Sequence, residues 1–356
     1  MNAIKRNTNF LRFTAGPVKY FKVIGICLQP PETLSIKFAR FLTVLTTLLL
    51  FVHQIAFLVT PGRTFVELSA AVGLLNYTTV GAGKILFLIL NRHLLLKSYT
   101  QLQAIYPSEA VERHYKLDRY LLIYKRVETL LYNFFKYILI VYLVSPIVQS
   151  FYDLWSNGAY SYRMPTIIWY PVPLEESLLD SVSQLMLHLD LLAQRILELQ
   201  PAEQGSMNDL KAIIEYHQRI LTLAQDVNSI FAPSIVFSLA SSSFILCFSA
   251  YQLLEDVSFI FALKVLLLLG YEMKQVVITC YYGDKLMDSS ANLFNVVYAH
   301  DWTDGTPAYK RLVLIMLIRT YRPIALNVAG IADVSLITLK QVLSTSYQIF
   351  AVLKTA

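Results

Sequence analysis

Six stretches of this chain stay apolar for about the 20 residues a helix needs to cross a bilayer, where every backbone amide must find its partner within the span. The clearest runs from Phe41 to Thr60 (FLTVLTTLLLFVHQIAFLVT), between Arg40 and Pro61-Gly62-Arg63. The others run from Leu68 to Leu90, Tyr132 to Trp155, Ser229 to Leu254, Val257 to Tyr282 and Ile331 to Leu353. Leu178 to Leu199 differs. Its apolar residues recur at three- and four-residue spacing, but Asp180, His188, Asp190, Arg195 and Glu198 interrupt them, which predicts an amphipathic helix in the cytosol. Leu312 to Asn327 has too short an apolar core to span and predicts a second helix outside the bilayer. The division expected is an N-terminal segment (1–40), three membrane helices (41–155), an outer loop (156–177), anchor-region helices (178–228), two further membrane helices (229–282), more anchor helices (283–330), and a final helix with the C-terminus (331–356).

Composition agrees with an all-α, polytopic membrane protein. Of 356 residues 56% are apolar and 15% charged, against about 25% charged in a soluble domain, and disorder would need the opposite balance. Cys27, Cys247 and Cys280 are too few and too scattered for a disulfide framework or a zinc site. No metal-spaced His/Cys/carboxylate cluster, phosphate-cradling Gly loop or nucleophile motif is present, so no catalytic, cofactor-binding or metal residues are expected and the chain is not read as an enzyme.

The net charge of +6 matters through its placement. Lys5, Arg6, Arg12, Lys19, Lys22, Lys37 and Arg40 put the N-terminus in the cytoplasm, with no cleavable signal-peptide pattern. Residues 91–131 are then also inside, carrying Arg92, Lys97, Arg113, Lys116, Arg119, Lys125 and Arg126. Six crossings fail further on. They place Lys285, Lys310, Arg311, Arg319 and Arg322 outside and the acidic pair Glu255-Asp256 inside. One more crossing between Ser156 and Asn228 would repair both, and no stretch there has the hydropathy for it.

From Cys280 onward the sequence resembles the insect odorant receptors, seven-helix receptors that work as odorant-gated cation channels. The resemblance rests on Cys280-Tyr281-Tyr282-Gly283-Asp284 at the end of a span, the polar run LMDSSANLFNVVYAHDW, then YKRLVLIMLIRTYRPIAL, Val334-Ser335-Leu336 and the terminal STSYQIFAVLK. It extends upstream to Asp209, through His217 and a Ser-rich span ending at Cys247, and is weaker over the first three spans. Against the family pattern the fourth membrane helix is missing. Trp169-Tyr170-Pro171 runs almost directly into the amphipathic stretch, which points to a skipped exon, a splice form or an incomplete gene model.

The resemblance implies a function, a pore and a pocket. The function is that of a ligand-gated, non-selective cation channel subunit, a multi-pass plasma-membrane protein of olfactory neuron dendrites that binds a small volatile and forms a heterotetramer with a co-receptor subunit. By the same resemblance the last helix lines the pore, with Val352 at the gate, Leu353 beside it, and Ser346, Tyr347 and Gln348 below. The implied ligand pocket lies in the outer half of the bundle and takes an uncharged molecule by shape and aromatic contact. Candidates are Asn76, Tyr77 and Val80 in the second span, Ser145, Gln149, Tyr152 and Trp155 in the third, then Phe248, Tyr251 and Gln252, and Phe259 and Phe261. Trp302, Tyr309 and Tyr321 are candidates for subunit contact. Ordinary helix packing is the alternative for each. Lys84, Lys136 and Lys274 are expected to snorkel, with Lys264 nearer mid-span. Asn76-Tyr77-Thr78 matches a glycosylation sequon but lies within a span.

Among rivals, a gustatory receptor shares the architecture, and Thr345-Ser346-Tyr347-Gln348-Ile349-Phe350 echoes its final helix loosely. A G-protein-coupled receptor is disfavoured because Asp118-Arg119-Tyr120 precedes a span and the last helix has no Asn-Pro pair. A transporter would show an inverted repeat. A non-functional form of an odorant receptor is the remaining alternative.

Overall fold

The computed structural model describes residues 8–28, 32–62, 65–115, 117–157, 174–203, 205–254, 259–328, 330 and 332–355. They form eleven α-helices and one short hairpin: α1 Thr8–Val23, α2 Leu34–Val59, α3 Phe65–Leu90, α4 Arg92–Ile105, α5 Glu109–His114, α6 Asp118–Asn157, α7 Leu174–Leu197, α8 Ser206–Gln252, α9 Phe259–Ala299, α10 Pro307–Thr320, β1 Asn327–Val328, β2 Ala332–Asp333 and α11 Leu336–Thr355. A 3-10 turn at Trp302–Asp304 precedes α10.

Each expected span falls on a helix, but several helices run far beyond their spans. α8 has 47 residues and α9 has 41, so at 1.5 Å per residue they measure about 70 and 60 Å, twice a hydrocarbon core of about 30 Å. Each is long enough for one half to cross a bilayer while the other packs beyond it, in the region here called the anchor. Three helices among the described residues are long and apolar enough to cross on their own: Leu34–Val59, Ala71–Leu90 and Ser206–Gln252.

The anchor is organised around α7, which packs against α8 and α9. Val182, Leu185, Leu187 and Leu192 of α7 are completely buried. Hydropathy predicts no element before residue 41. Instead α1 is a helix that, with the turn after it, supplies Phe10, Phe21, Ile24 and Ile26 to the core. Its end is fastened to α2, because Arg40 Nε donates to the Gly25 carbonyl at 2.8 Å and Arg40 pairs with Glu32 at 3.1 Å.

Two boundaries need correction. The helix expected over 312–327 is α10, which starts earlier: Thr306 Oγ1 caps it by accepting from the Tyr309 amide, with Pro307 in its first turn. The final helix does not begin at Ile331, since the hairpin of β1 and β2 comes first, pairing Asn327 with Asp333 and Val328 with Ala332. The Asn327 amide donates to Asn228 Oδ1 of α8 at 2.8 Å. On the other side Val334 packs on Gly283 of α9, where an added Cβ would stand 2.3 Å from the Val334 carbonyl oxygen. Only a residue without a side chain allows that approach, which gives the Cys280–Gly283 motif a structural reason. The outer loop expected over 156–177, after which the sequence shows no fourth span, falls mostly on residues 158–173, outside the described residues. Only these sixteen residues separate α6 from α7, fewer than the roughly 20 of a spanning helix.

Candidate functional site

Within the bundle, α8 packs against both α3 and α9, and polar pairs stitch the three together. Ser241 Oγ of α8 donates to Asn76 Oδ1 of α3 at 3.0 Å, and Asn76 Nδ2 donates back to the Ser241 carbonyl at 3.4 Å. Gln54 Nε2 of α2 donates to Thr78 Oγ1 at 2.7 Å. Ser242 Oγ donates to Glu272 Oε2 of α9 at 2.9 Å, and one turn toward the anchor Gln275 Nε2 donates to Ser238 Oγ at 2.9 Å. Small serines let the helices approach closely and satisfy each other's polar groups, the usual means of holding helices together in lipid. Glu272 is 4% exposed, and an ionisable group so placed is a mark of function by default.

At the anchor end of this seam lies a cavity with an empty volume of about 450 Å³, its open mouth included. α3 contributes Lys84 and Leu88, α7 contributes Leu178, α8 contributes Phe231, Ser234 and Ser238, and α9 contributes Gln275 and Thr279. The wall is apolar with a few convergent polar groups, the usual character of a small-molecule site. Lys84 is buried here and does not snorkel as expected, whereas Lys136 is exposed and Lys274 sits 4.4 Å from the centre of the Tyr271 ring.

The pocket residues expected from sequence are placed differently. Asn76 is engaged with Ser241, Tyr77 faces Tyr271 with ring centres 6.1 Å apart, and Val80 is buried. None of the three lines the cavity. Phe248, Tyr251 and Phe261 are half-buried and Gln252 is buried. Tyr152, Trp155 and Phe259 point outward, at 63%, 85% and 82% exposure. The Ser145 and Gln149 side chains lie outside the described residues. What sequence reasoning missed was the Ser238–Gln275 pair. The signal for it was the recurrence of Ser234, Ser238, Ser241 and Ser242 at helical spacing opposite Glu272 and Gln275.

The terminal helix α11 leans on α8 and α9 through Val342 and Ser346, whose Oγ donates to the Val342 carbonyl at 2.7 Å. Ser346 therefore faces its own subunit and leaves the row of pore candidates. On the opposite side Ile337, Gln341, Ser344, Gln348 and Val352 are exposed at three- and four-residue spacing, with Tyr347 beside them. The Leu353 side chain lies outside the described residues. In the anchor, Tyr309 is 1% exposed and within 3.3 Å of His300 Nε2, so it is a core residue and not a subunit contact. Tyr321 is exposed and Trp302 partly so.

A family model described as 7tm Odorant receptor matches residues 178–347. Odorant receptor 85b of Drosophila melanogaster is 26% identical over 324 aligned positions, covering 82% of this chain and 83% of that one. Putative odorant receptor 92a of the same fly is 25% identical over 400 positions, covering 97% and 95%. Those 400 positions exceed the 356 residues here by 44, so at least that many stand opposite gaps in this chain. Among solved structures, the olfactory receptor OR5 of Machilis hrabei in complex with eugenol superposes with a TM-score of 0.77 at 16% identity, over 98% of this chain and 96% of that one. Sequence motifs, helix order and these likenesses agree: residues 178–347 match the odorant receptor family model, and the chain shares the helical fold of an insect olfactory receptor.

Proposed function

We propose that this chain is the odorant-binding subunit of a ligand-gated, non-selective cation channel, assembled as a tetramer with a co-receptor subunit in the plasma membrane, its N-terminus and anchor in the cytosol. The observation that carries the reading is the outward stripe of α11. A membrane helix that shows Gln341, Ser344 and Gln348 between Ile337 and Val352 needs water or a partner helix on that side. Four copies around an axis supply both, with Val352 closing the outer end. A small volatile is expected in the bundle between α3, α8 and α9, where apolar walls meet Ser238 and Gln275. It opens the pore only through a higher affinity for the open state.

The test is whole-cell current evoked by an odorant panel in cells expressing the chain with and without a co-receptor. Odorant-evoked current that Val352→Cys makes sensitive to a thiol reagent supports the reading. Current indifferent to that substitution removes Val352 from the gate. A second reading, a receptor form that is inactive as it stands, is favoured by the sixteen residues between α6 and α7. Silence from this chain, with responses once a relative's fourth helix is inserted at that point, supports the second reading.

A further inference from the structure

Positive charge gathers at the foot of α2. From residue 1 to residue 97 the sequence holds only two carboxylates, Glu32 and Glu67. α2 and α3 pack side by side, each has 26 residues, and a short turn over 60–64 joins them. Leu34 and Leu90 therefore lie at the same end of the pair, and Glu67 lies at the other. From that shared end the chain passes straight into α4, whose first residue is Arg92. α1 reaches the same place, with Lys22 in its last turn three residues before the Gly25 carbonyl that holds Arg40.

The one carboxylate here is already engaged. Glu32 pairs with Arg40 at 3.1 Å. That hydrogen bond, together with the charges of Arg40, Arg92 and Lys37, holds its carboxyl below the usual range. Lys37 and Arg92 form no ion pair of their own among the described residues, the first exposed and the second half-buried. Lys97, farther along α4, is paired with Asp226 at 2.9 Å and takes no part.

Apolar surface continues from the charge. Leu34, Lys37, Phe38, Phe41 and Leu45 recur at three- and four-residue spacing, and all five are exposed. A stripe of this kind on a spanning helix faces acyl chains, and a cation at its end meets headgroups.

We propose that the foot of α2 binds an anionic phospholipid whose headgroup carries more than one phosphate, with phosphate oxygens on Lys37 and Arg92 and an acyl chain along Phe38 and Phe41. A guanidinium takes phosphate oxygens in pairs and an ammonium takes them as a point charge. Cations on two different helices therefore suit a headgroup with oxygens on more than one side. A zwitterionic headgroup brings its own ammonium and gains little, and a soluble phosphate leaves the apolar stripe bare. The site does not depend on the channel reading above, and binding alone tests it.

The experiment uses the purified full chain in detergent and follows binding by thermophoresis. The probes are dioctanoyl phosphatidylinositol bisphosphate, dioctanoyl phosphatidylserine, dioctanoyl phosphatidylcholine and inositol trisphosphate. The bisphosphate lipid is expected to bind saturably, phosphatidylserine and inositol trisphosphate each at least about tenfold more weakly, and phosphatidylcholine not at all. Lys37→Gln and Arg92→Gln should each weaken the bisphosphate lipid about fivefold, the ordinary share of one basic side chain at an anionic surface. Phe38→Ala should weaken it too, with inositol trisphosphate unaffected. Lys211→Gln, at an exposed lysine of the anchor, should change nothing. Lys37 is exposed, so Lys37→Gln is expected to fold, which keeps the test decisive if Arg92→Gln does not. Four results overturn the proposal: no saturable binding, phosphatidylserine bound as tightly as the bisphosphate lipid, inositol trisphosphate bound as tightly, or no greater loss in Lys37→Gln than in Lys211→Gln.

Discussion

α2 and α7 are both rich in leucine, yet they lie at opposite extremes of burial. Along α2, Leu34, Phe38, Leu49 and Val52 are 83%, 65%, 60% and 66% exposed, and Ile36 is its one buried residue. Along α7, which also carries Asp180, Gln184, His188 and Arg195, the leucines from Leu178 to Leu192 are sealed inside the anchor, and only Leu197 at its end is exposed among the described ones. Apolarity thus dictates that a side chain leaves water and says nothing of what replaces the water. For α2 the replacement is lipid. For α7 it is protein on nearly every side, and the polar residues it buries must find partners there: His188 Nδ1 lies 2.7 Å from the Tyr216 hydroxyl, and Gln184 donates to Asp180.

The contrast can be broken by truncation. Leu185→Ala in α7 is expected to cost about 2–5 kcal/mol, the range for a cavity in a packed core, while Leu49→Ala on α2 should stay within about 0.5 kcal/mol, as at a site without packed neighbours. Thermal unfolding of the purified protein in nanodiscs measures both, and equal losses would end the distinction. Gly283→Ala comes next. It forces a methyl group against the Val334 carbonyl, and overpacking of this kind costs about 1–3 kcal/mol. The unfolding temperature should fall, and α11 should become more accessible to protease.

The smallest expected effect concerns acid. Burial, with Arg195 adding repulsion, pulls His188 down to about 3, and burial with Arg319 nearby pulls His217 down to about 4. Both are neutral in the folded anchor, whereas the unfolded chain takes up their protons near pH 6.5. Their contribution is complete above about 6.5 and declines as pH falls toward 4 and 3. Asp190, raised to about 6 by burial, acts in the opposite sense below that pH. Anchor stability should therefore begin to fall between pH 6.5 and 6, and His188→Gln should flatten that slope in denaturation followed across pH. A slope unaltered by the substitution would place His188 outside the effect.

The apolar runs were legible because a bilayer imposes a length on them, and most of each of the six lies on a helix in the structure, the last starting only after the hairpin. Helix ends were not legible where a span continues into the anchor. At Ser229, where the hydropathy of α8 rises, no capping residue or glycine interrupts the helix, so hydropathy finds a change of environment and not the end of the helix. The hairpin before α11 escaped for the opposite reason: two pairs of residues carry no periodicity. Among site residues, Tyr309 is a candidate subunit contact by resemblance and packing is its alternative, and the structure buries it. Its bond to His300 joins residues of two different elements, which a linear pattern does not reveal. Ser238 and Gln275 were overlooked for the same reason, since each is unremarkable alone and the pair exists only when α8 and α9 lie side by side.

α8 carries the bundle seam at one end and the anchor core at the other within one helix of 47 residues. Mechanically it is a lever of about 70 Å, on which a tilt of about 5° moves one tip by about 6 Å. Pro233, near its middle, has no amide to offer the preceding turn, which makes that point its softest. Whatever presses on Ser241 or Ser242 at the outer end is therefore geared to the hairpin resting on Asn228, and the proline sets how much of that travel is lost in bending.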